Sequence, residues 1–190
     1  MFANSPSLLR FKKSVFVILV SLCLLAICAQ AQVKGAAMVN AGNLYAHGKG
    51  IPQDYKQAMQ WYQKAADQGN TEAMVDIGGL YAQAQGVTKD YGQALQWFHK
   101  AADQGNAEAM YRIGVYYAEG KGVTQDYAQA LQWYKKAADK GHAGAMYHIG
   151  VVYANCRSVE KNIDTAITWW KKSADLGNKD AINALKNAGK

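Results

Sequence analysis

The sequence predicts an all-α fold in which four helix-turn-helix repeats of 36 residues stack side by side, closed by a short C-terminal capping helix. Two observations carry this expectation. Ala37-Met38, Ala73-Met74, Ala109-Met110, Ala145-Met146 and Ala181-Ile182 recur at a constant spacing of 36. The same register aligns Gly42, Gly78, Gly114 and Gly150, then Tyr45, Tyr81, Tyr117 and Tyr153, then Trp61, Trp97, Trp133 and Trp169. Within a unit the apolar residues follow helical spacing, as in Tyr127, Ala130, Leu131, Tyr134 and Ala138 at i, i+3, i+4, i+7 and i+11.

The N-terminal segment stands apart from the repeats. Arg10, Lys12 and Lys13 precede an apolar run from Val15 to Cys28, and Ala29-Gln30-Ala31 supplies the small-x-small pattern of a signal-peptidase site. The run is shorter than the roughly 18 residues of a spanning helix, so residues 1–31 are expected to be a cleaved signal peptide. Leu25-Ala26-Ile27-Cys28 departs from a lipoprotein box at bulky Ile27. The domain is then 32–190, with repeats 37–72, 73–108, 109–144 and 145–180 and the capping helix 181–190. No stable membrane insertion is expected after cleavage, and the chain is expected in the periplasm or outside the cell.

Charge and cysteine content narrow the possibilities further. The leader carries three of the 21 basic residues and none of the 14 acidic ones, so the net charge of +7 falls to +4. That balance does not ask for a polyanionic partner. Cys23 and Cys28 leave with the leader, so Cys156 has no partner for an intrachain disulfide. The stack must hold by packing.

Each unit reads as two helices. Helix A of the third unit is expected from about Glu108 to Glu119, ended by Gly120-Lys121-Gly122. Thr124 is expected to cap helix B, with Asp126 in its first turn and Pro52 in the same place in the first unit. Helix B then runs to about Lys140 and stops at Gly141. Trp133 widens the apolar stripe beyond what one partner helix covers, which calls for a neighbouring repeat. A glycine inside a helix costs roughly 1 kcal/mol. Its recurrence at 42, 78, 114 and 150 implies close approach of a neighbouring aromatic ring. Lys64, Lys100, Lys136 and Lys172 suit the C-terminal turn of helix B. Asp67, Asp103, Asp139 and Asp175 do not, and are expected to accept hydrogen bonds from the next helix A.

The pattern A-M-x-x-I-G-x-x-Y-A-x-G-x-G-V-x-x-D-Y-x-x-A-x-x-W-Y-x-K-A-A-D-x-G-N resembles the Sel1-like repeat, a relative of the tetratricopeptide repeat with a longer G-x-G loop. The resemblance covers residues 37–180. It implies a right-handed α/α solenoid and an adaptor that binds other macromolecules. The fourth unit departs from the pattern, with Asn155-Cys156-Arg157-Ser158 in place of the Gly turn, Asn162 for Asp and Ile163 for Tyr.

Positions that break the recurrence are where a particular function could reside. In helix A these are the fourth, seventh and eleventh of each unit, which share one face. They read Asn40, Asn43, His47; Asp76, Gly79, Gln83; Arg112, Val115, Glu119; and His148, Val151, Asn155. The resemblance implies that helix A lines the concave groove, so this row is the expected partner-binding strip. Tyr111 and Tyr147 stand where the earlier units have Val39 and Val75. They are either interface anchors beside Arg112 and His148 or fillers of the inter-repeat core.

Catalysis finds little support. No two of His47, His99, His142 and His148 have the i, i+4 spacing of a metal pair, and Cys156 with His148 lacks a third, orienting group. The G-K-G turns lack a following Lys-Ser/Thr, so no phosphate loop, cofactor or metal is expected. Lys135-Lys136 and Lys171-Lys172 beside aromatics are read as solvated helix ends, not as a nucleic-acid surface. The expected function is a non-catalytic scaffold of the bacterial envelope, or a secreted one, that binds a protein or peptide. The alternative is a cell-wall-associated enzyme or binder of a penicillin-type ligand or peptidoglycan. Secreted relatives linked to penicillin-type ligands carry cysteine pairs in each repeat, and this chain has none.

Overall fold

The computed structural model describes residues 33–155 and 160–189. The expected leader and Cys156, with the turn around it, lie outside these residues. The described part of α1 covers residues 33–47. It is followed by α2 (Tyr55–Ala66), α3 (Thr71–Gln83), α4 (Tyr91–Asp103), α5 (Ala107–Glu119), α6 (Tyr127–Asp139), α7 (Ala143–Ala154), α8 (Ile163–Asp175) and α9 (Lys179–Asn187). Odd-numbered helices are the A helices and even-numbered ones the B helices. Each packs chiefly on the helices before and after it, most extensively within a repeat. The fold is an all-α solenoid.

The recurrent glycines have the reason their repetition implies. A Cβ at Gly42 would lie 2.4 Å from Tyr62 Cε1, at Gly78 2.5 Å from Phe98 Cε1, and at Gly114 2.6 Å from the Tyr134 ring. At Gly150 it would lie 2.4 Å from Trp170 Nε1. One B-helix ring therefore rests on the bare A-helix backbone in every repeat. Phe98 and Tyr134 are buried there, and Phe98 also meets Tyr116 of the next repeat edge-on, centroids 5.3 Å apart.

Helix starts follow a second recurring rule, and it corrects two expectations. Asp54, Asp90, Asp126 and Asn162 are themselves the N-caps of the B helices; Asp126 Oδ1 accepts from Ala128 N–H and Gln129 N–H. Thr124 therefore lies two residues before the cap, and Pro52 lies ahead of α2, not in its first turn. The backbone explains the offset: Asp126 N–H donates to Tyr117 O at 2.9 Å and closes the A–B loop just before α6. Asn162 N–H makes the same closure onto Tyr153 O at 3.1 Å, so the divergent fourth unit re-enters register there.

The A helices are capped by Asn70, Asn106, His142 and Asn178. This overturns the expectation for Asp67, Asp103, Asp139 and Asp175, because the acceptor at the start of each next helix is the Asn or His three residues later. Asp67 instead accepts from Gln63 Nε2. The capping side chains also reach back one repeat: Asn106 Nδ2 donates to Thr71 Oγ1 at 3.0 Å, and His142 Nε2 lies 2.9 Å from Glu108 Oε2. The lysines of the last B-helix turns do more than meet solvent. Lys64, Lys100, Lys136 and Lys172 each lie 3.9–4.6 Å from the centroid of the tryptophan one turn earlier.

Two adjacent glycines separate packing from propensity. Gly78→Ala must displace the buried Phe98 ring and is expected to cost about 1–3 kcal/mol. Gly79→Ala meets only the Gln83 amide at 3.9 Å and is expected to gain up to about 1 kcal/mol of helix propensity. Urea unfolding of the two variants checks the opposite signs. Ala84, the C-cap of α3, sits at φ 57, where Gly120 sits in α5. Ala84→Gly is expected to raise stability by about 1 kcal/mol in the same assay.

Candidate functional site

The A-helix row encloses a cleft of about 470 Å³ at the junction of the first two repeats. Asn43, His47, Asp76, Gly79, Gln83 and Arg112 of the expected strip line it. Asn40 joins Asn43, His47 and Asp76 around an adjoining depression of about 570 Å³. Residues that vary between repeats are thus brought together here by α1, α3 and α5. Tyr62 O–H donates to Asn43 Oδ1 at 2.6 Å, which fixes that amide in the wall.

The loops contribute as much as the helices. Gln53 Nε2 donates to Ala46 O at 2.7 Å and to the Tyr55 hydroxyl at 2.9 Å, and Gln85 Nε2 reaches the same hydroxyl at 3.2 Å. All three residues line the cleft. Glu72, one turn before Asp76, lines the adjoining depression. None of these four belongs to the predicted strip. The alternation Gln53, Lys89, Gln125, Lys161 in the A–B loops is the sequence signal that distinguishes Gln53. Gln125 repeats its bonds, donating to Ala118 O at 2.7 Å and Tyr127 Oη at 3.1 Å, whereas Lys89 lies over the Tyr91 ring.

Toward the C-terminus the same row is filled by its own side chains. Tyr111 stacks on His142, centroids 4.5 Å apart, and its hydroxyl lies 3.1 Å from His148 Nε2. His148 stacks in turn on Tyr134 at 5.3 Å, with Tyr147 edge-on at the same distance. Tyr111 therefore packs between repeats in a half-buried cluster, and His148 is held within it. Burial lowers the His148 pKa, so its imidazole stays neutral near pH 7. Val115 and Val151 are half-buried, Asn155 is the exposed C-cap of α7, and Glu119 ion-pairs with Lys121.

The charges on the row are unequally matched. Arg112 Nε lies 2.7 Å from Glu108 Oε1, a charge contact and not an aligned hydrogen bond, and its guanidinium carbon is 5.9 Å from the Phe98 centroid. The Glu108 pKa is lowered, first by the His142 hydrogen bond. Asp76 is the opposite case. Burial, then Glu72, push its carboxyl from 3.8 up to about 6, and Arg112 pulls the other way. Among the described residues no three His, Cys, Asp or Glu side chains converge as a metal would require.

The folded state thus binds the Asp76 proton more tightly than the unfolded chain does. Stability falls as pH rises from about 4 through 6 on its account, and is flat outside that window. The displacement corresponds to at most about 3 kcal/mol, which screening at the cleft mouth reduces to about 1 kcal/mol. Asp76→Asn is expected to raise the melting temperature by about 2–4 °C at pH 7.5 and not at pH 3.5. Thermal unfolding at the two pH values checks this.

Comparison with known proteins agrees with the helical frame. A family model described as the Sel1 repeat matches residues 35–70, 71–106, 107–142 and 143–178. A Sel1 repeat protein from Oxalobacter formigenes is 36% identical with a TM-score of 0.74, over 77% of this chain and 60% of that one. A protective antigen of uropathogenic Escherichia coli is 37% identical with a TM-score of 0.72, over 79% of this chain and 32% of that one. An immunity protein of Pseudomonas aeruginosa is 29% identical with a TM-score of 0.57, over 77% and 54%. This chain therefore spans less than two thirds of each of these relatives. No curated protein matches it. With four matched copies on four helix pairs of one design, the chain belongs to the Sel1 repeat family.

Proposed function

We propose that this protein is a non-catalytic scaffold that binds a segment of a partner protein along the face formed by its A helices. Sel1 repeat proteins mediate protein–protein interaction and are as a class non-catalytic. The observation that carries the reading here is the cleft itself. It is a polar trough spanning α1, α3 and α5, of the size that holds part of a ligand, and the residues that vary between repeats line it. The partner contacts centre on Asn43, His47, Asp76, Gln83 and Arg112, with Asn40 at the edge. Tyr111, Tyr147 and His148 form the packed continuation of the face beyond Arg112, and Glu119 and Asn155 mark where it ends.

The site of action is the bacterial envelope or the extracellular space, in keeping with the charged and apolar pattern of residues 1–31. No helix among the described residues is long and apolar enough to cross a membrane. One structural relative, from Pseudomonas aeruginosa, is itself an immunity protein.

A photo-crosslinking amino acid at position 83, in the cleft, and another at position 135, exposed on α6, test the reading in cells. Position 83 is expected to trap a discrete partner that position 135 does not. Gly79→Phe, which fills the cleft, is expected to reduce that crosslink at least tenfold while thermal unfolding is retained. Equal capture from both positions would show that the A-helix face is not the recognition surface.

A further inference from the structure

Resting on that reading, we infer that the cleft between the first two repeats recognises a lysine or arginine side chain of the partner segment, seated against Asp76. Asp76 projects from the middle of α3 and lines both the cleft and the adjoining depression. Among the described residues no side chain hydrogen-bonds or ion-pairs with its carboxylate. The nearest cation along the row, Arg112, is already committed to Glu108 at 2.7 Å and to the face of Phe98. Asp76 therefore has an unmatched charge facing an open space.

The surroundings select for a donor. Glu72 adds a second negative charge one turn earlier on the same face. Gln53 spends both of its N–H groups on the Ala46 carbonyl and the Tyr55 hydroxyl, and Gln85 spends one of its two on the same hydroxyl. Their amide oxygens remain as acceptors at the rim. A cation entering beside Asp76 would be paired in a partly dehydrated setting, where charge-assisted hydrogen bonds are shorter and stronger than neutral ones. An anion would have to approach Asp76 and Glu72 with Arg112 and Lys49 as the cations lining the two spaces.

The carboxylate is also a cost to the free protein. Its ionised form is disfavoured by burial and by Glu72, and an amide of the same shape would relieve both. A cation removes that penalty on binding, so the affinity is linked to the proton on Asp76. A probe that returns the Asp76 midpoint by one pH unit binds the ionised form tenfold more tightly than the protonated form.

The test uses the full chain and blocked pentapeptides, acetylated at the N-terminus and amidated at the C-terminus, with Lys, Arg, acetyl-lysine or Glu at the centre of Gly-Gly-x-Gly-Gly. Blocking the ends removes the terminal ammonium as a competing source of the cation. The Asp76 carboxyl is followed by carbon-detected NMR between pH 3 and 8. The Lys and Arg probes are expected to lower its midpoint by about one unit or more and to bind about tenfold more weakly at pH 4.5 than at pH 7.5. The acetyl-lysine and Glu probes are expected to do neither. Asp76→Asn is expected to remove the Lys/acetyl-lysine difference, whereas Gln96→Ala, exposed on α4, leaves it.

Equal binding of the Lys and acetyl-lysine probes, or tighter binding of the Glu probe, would overturn the inference. So would an Asp76→Asn protein that still prefers lysine. Crosslinking from position 83 in the Asp76→Asn background keeps the two readings apart. If the partner is still trapped there while no probe shows a charge preference, the scaffold reading stands and the cationic anchor falls.

Discussion

The structure depends on four contacts in which a B-helix ring meets an A-helix backbone at a glycine. A methyl group at Gly42, Gly78, Gly114 or Gly150 would come within 2.4–2.6 Å of Tyr62, Phe98, Tyr134 or Trp170. These contacts set the spacing of the two helices in every repeat. The ring is free to change from Tyr to Phe to Trp, because it can slide or tilt against a flat backbone. The glycine is not, since any Cβ occupies the space the ring needs. Once that distance is set, the far side of the ring is presented to the next repeat, as Phe98 is to Tyr116. A stack held this way needs no disulfide, and the described residues contain no cysteine.

The caps turn a chain of repeats into a connected one. Asn106 accepts from Ala109 N–H and donates to Thr71 in the preceding repeat. His142 does both tasks with a ring: Nδ1 accepts from Ala145 N–H at 3.0 Å, and Nε2 faces Glu108. This fixes the tautomer, because an Nδ1 that accepts leaves the proton on Nε2. Glu108 then holds His142 on one oxygen and Arg112 on the other. The third and fourth repeats are thus bound through Glu108, His142 and Arg112, whereas the first and second are linked at the cleft through Gln85 and the Tyr55 hydroxyl.

The repeat, its helical content and the purpose of the glycines were legible in the sequence because each recurs, and recurrence exposes a shared constraint. The starts of the B helices were not. Thr124 and Asp126 are both good caps by residue type, and only the Asp126 N–H bond to Tyr117 O decides between them. Residue type does not separate Asp67 and its equivalents from Asn70, Asn106 and Asn178 as caps of the next helix, and His142 breaks the pattern at the fourth helix A. On the variable row, sequence alone named most of the helical residues around the cleft. It could not show that Tyr111 and His148, 37 residues apart, would meet and fill the far half. Nor could it bring Gln53 and Gln85 together, since their shared partner is the Tyr55 hydroxyl in a third place along the chain.

The two halves of the row differ in how completely their polar groups are matched, and that difference is the strongest guide to function. Around Tyr111 and His148 the rings stack, the hydroxyl has a partner, and Glu108 is doubly engaged. Around Asp76 a carboxylate is half-buried beside Glu72, and among the described residues no cation forms an ion pair with it. Folding alone would favour an amide or an apolar residue there, and Asn40 is the amide at the same position of the first repeat. A solenoid has many equivalent positions and can place an uncompensated charge at any of them with only local consequence, because each repeat answers mainly to its neighbours. Here the charge falls where the groove is open. The unmet demand of Asp76 therefore reads as the impression of something that arrives from outside, positive and narrow enough to enter between the first and second repeats.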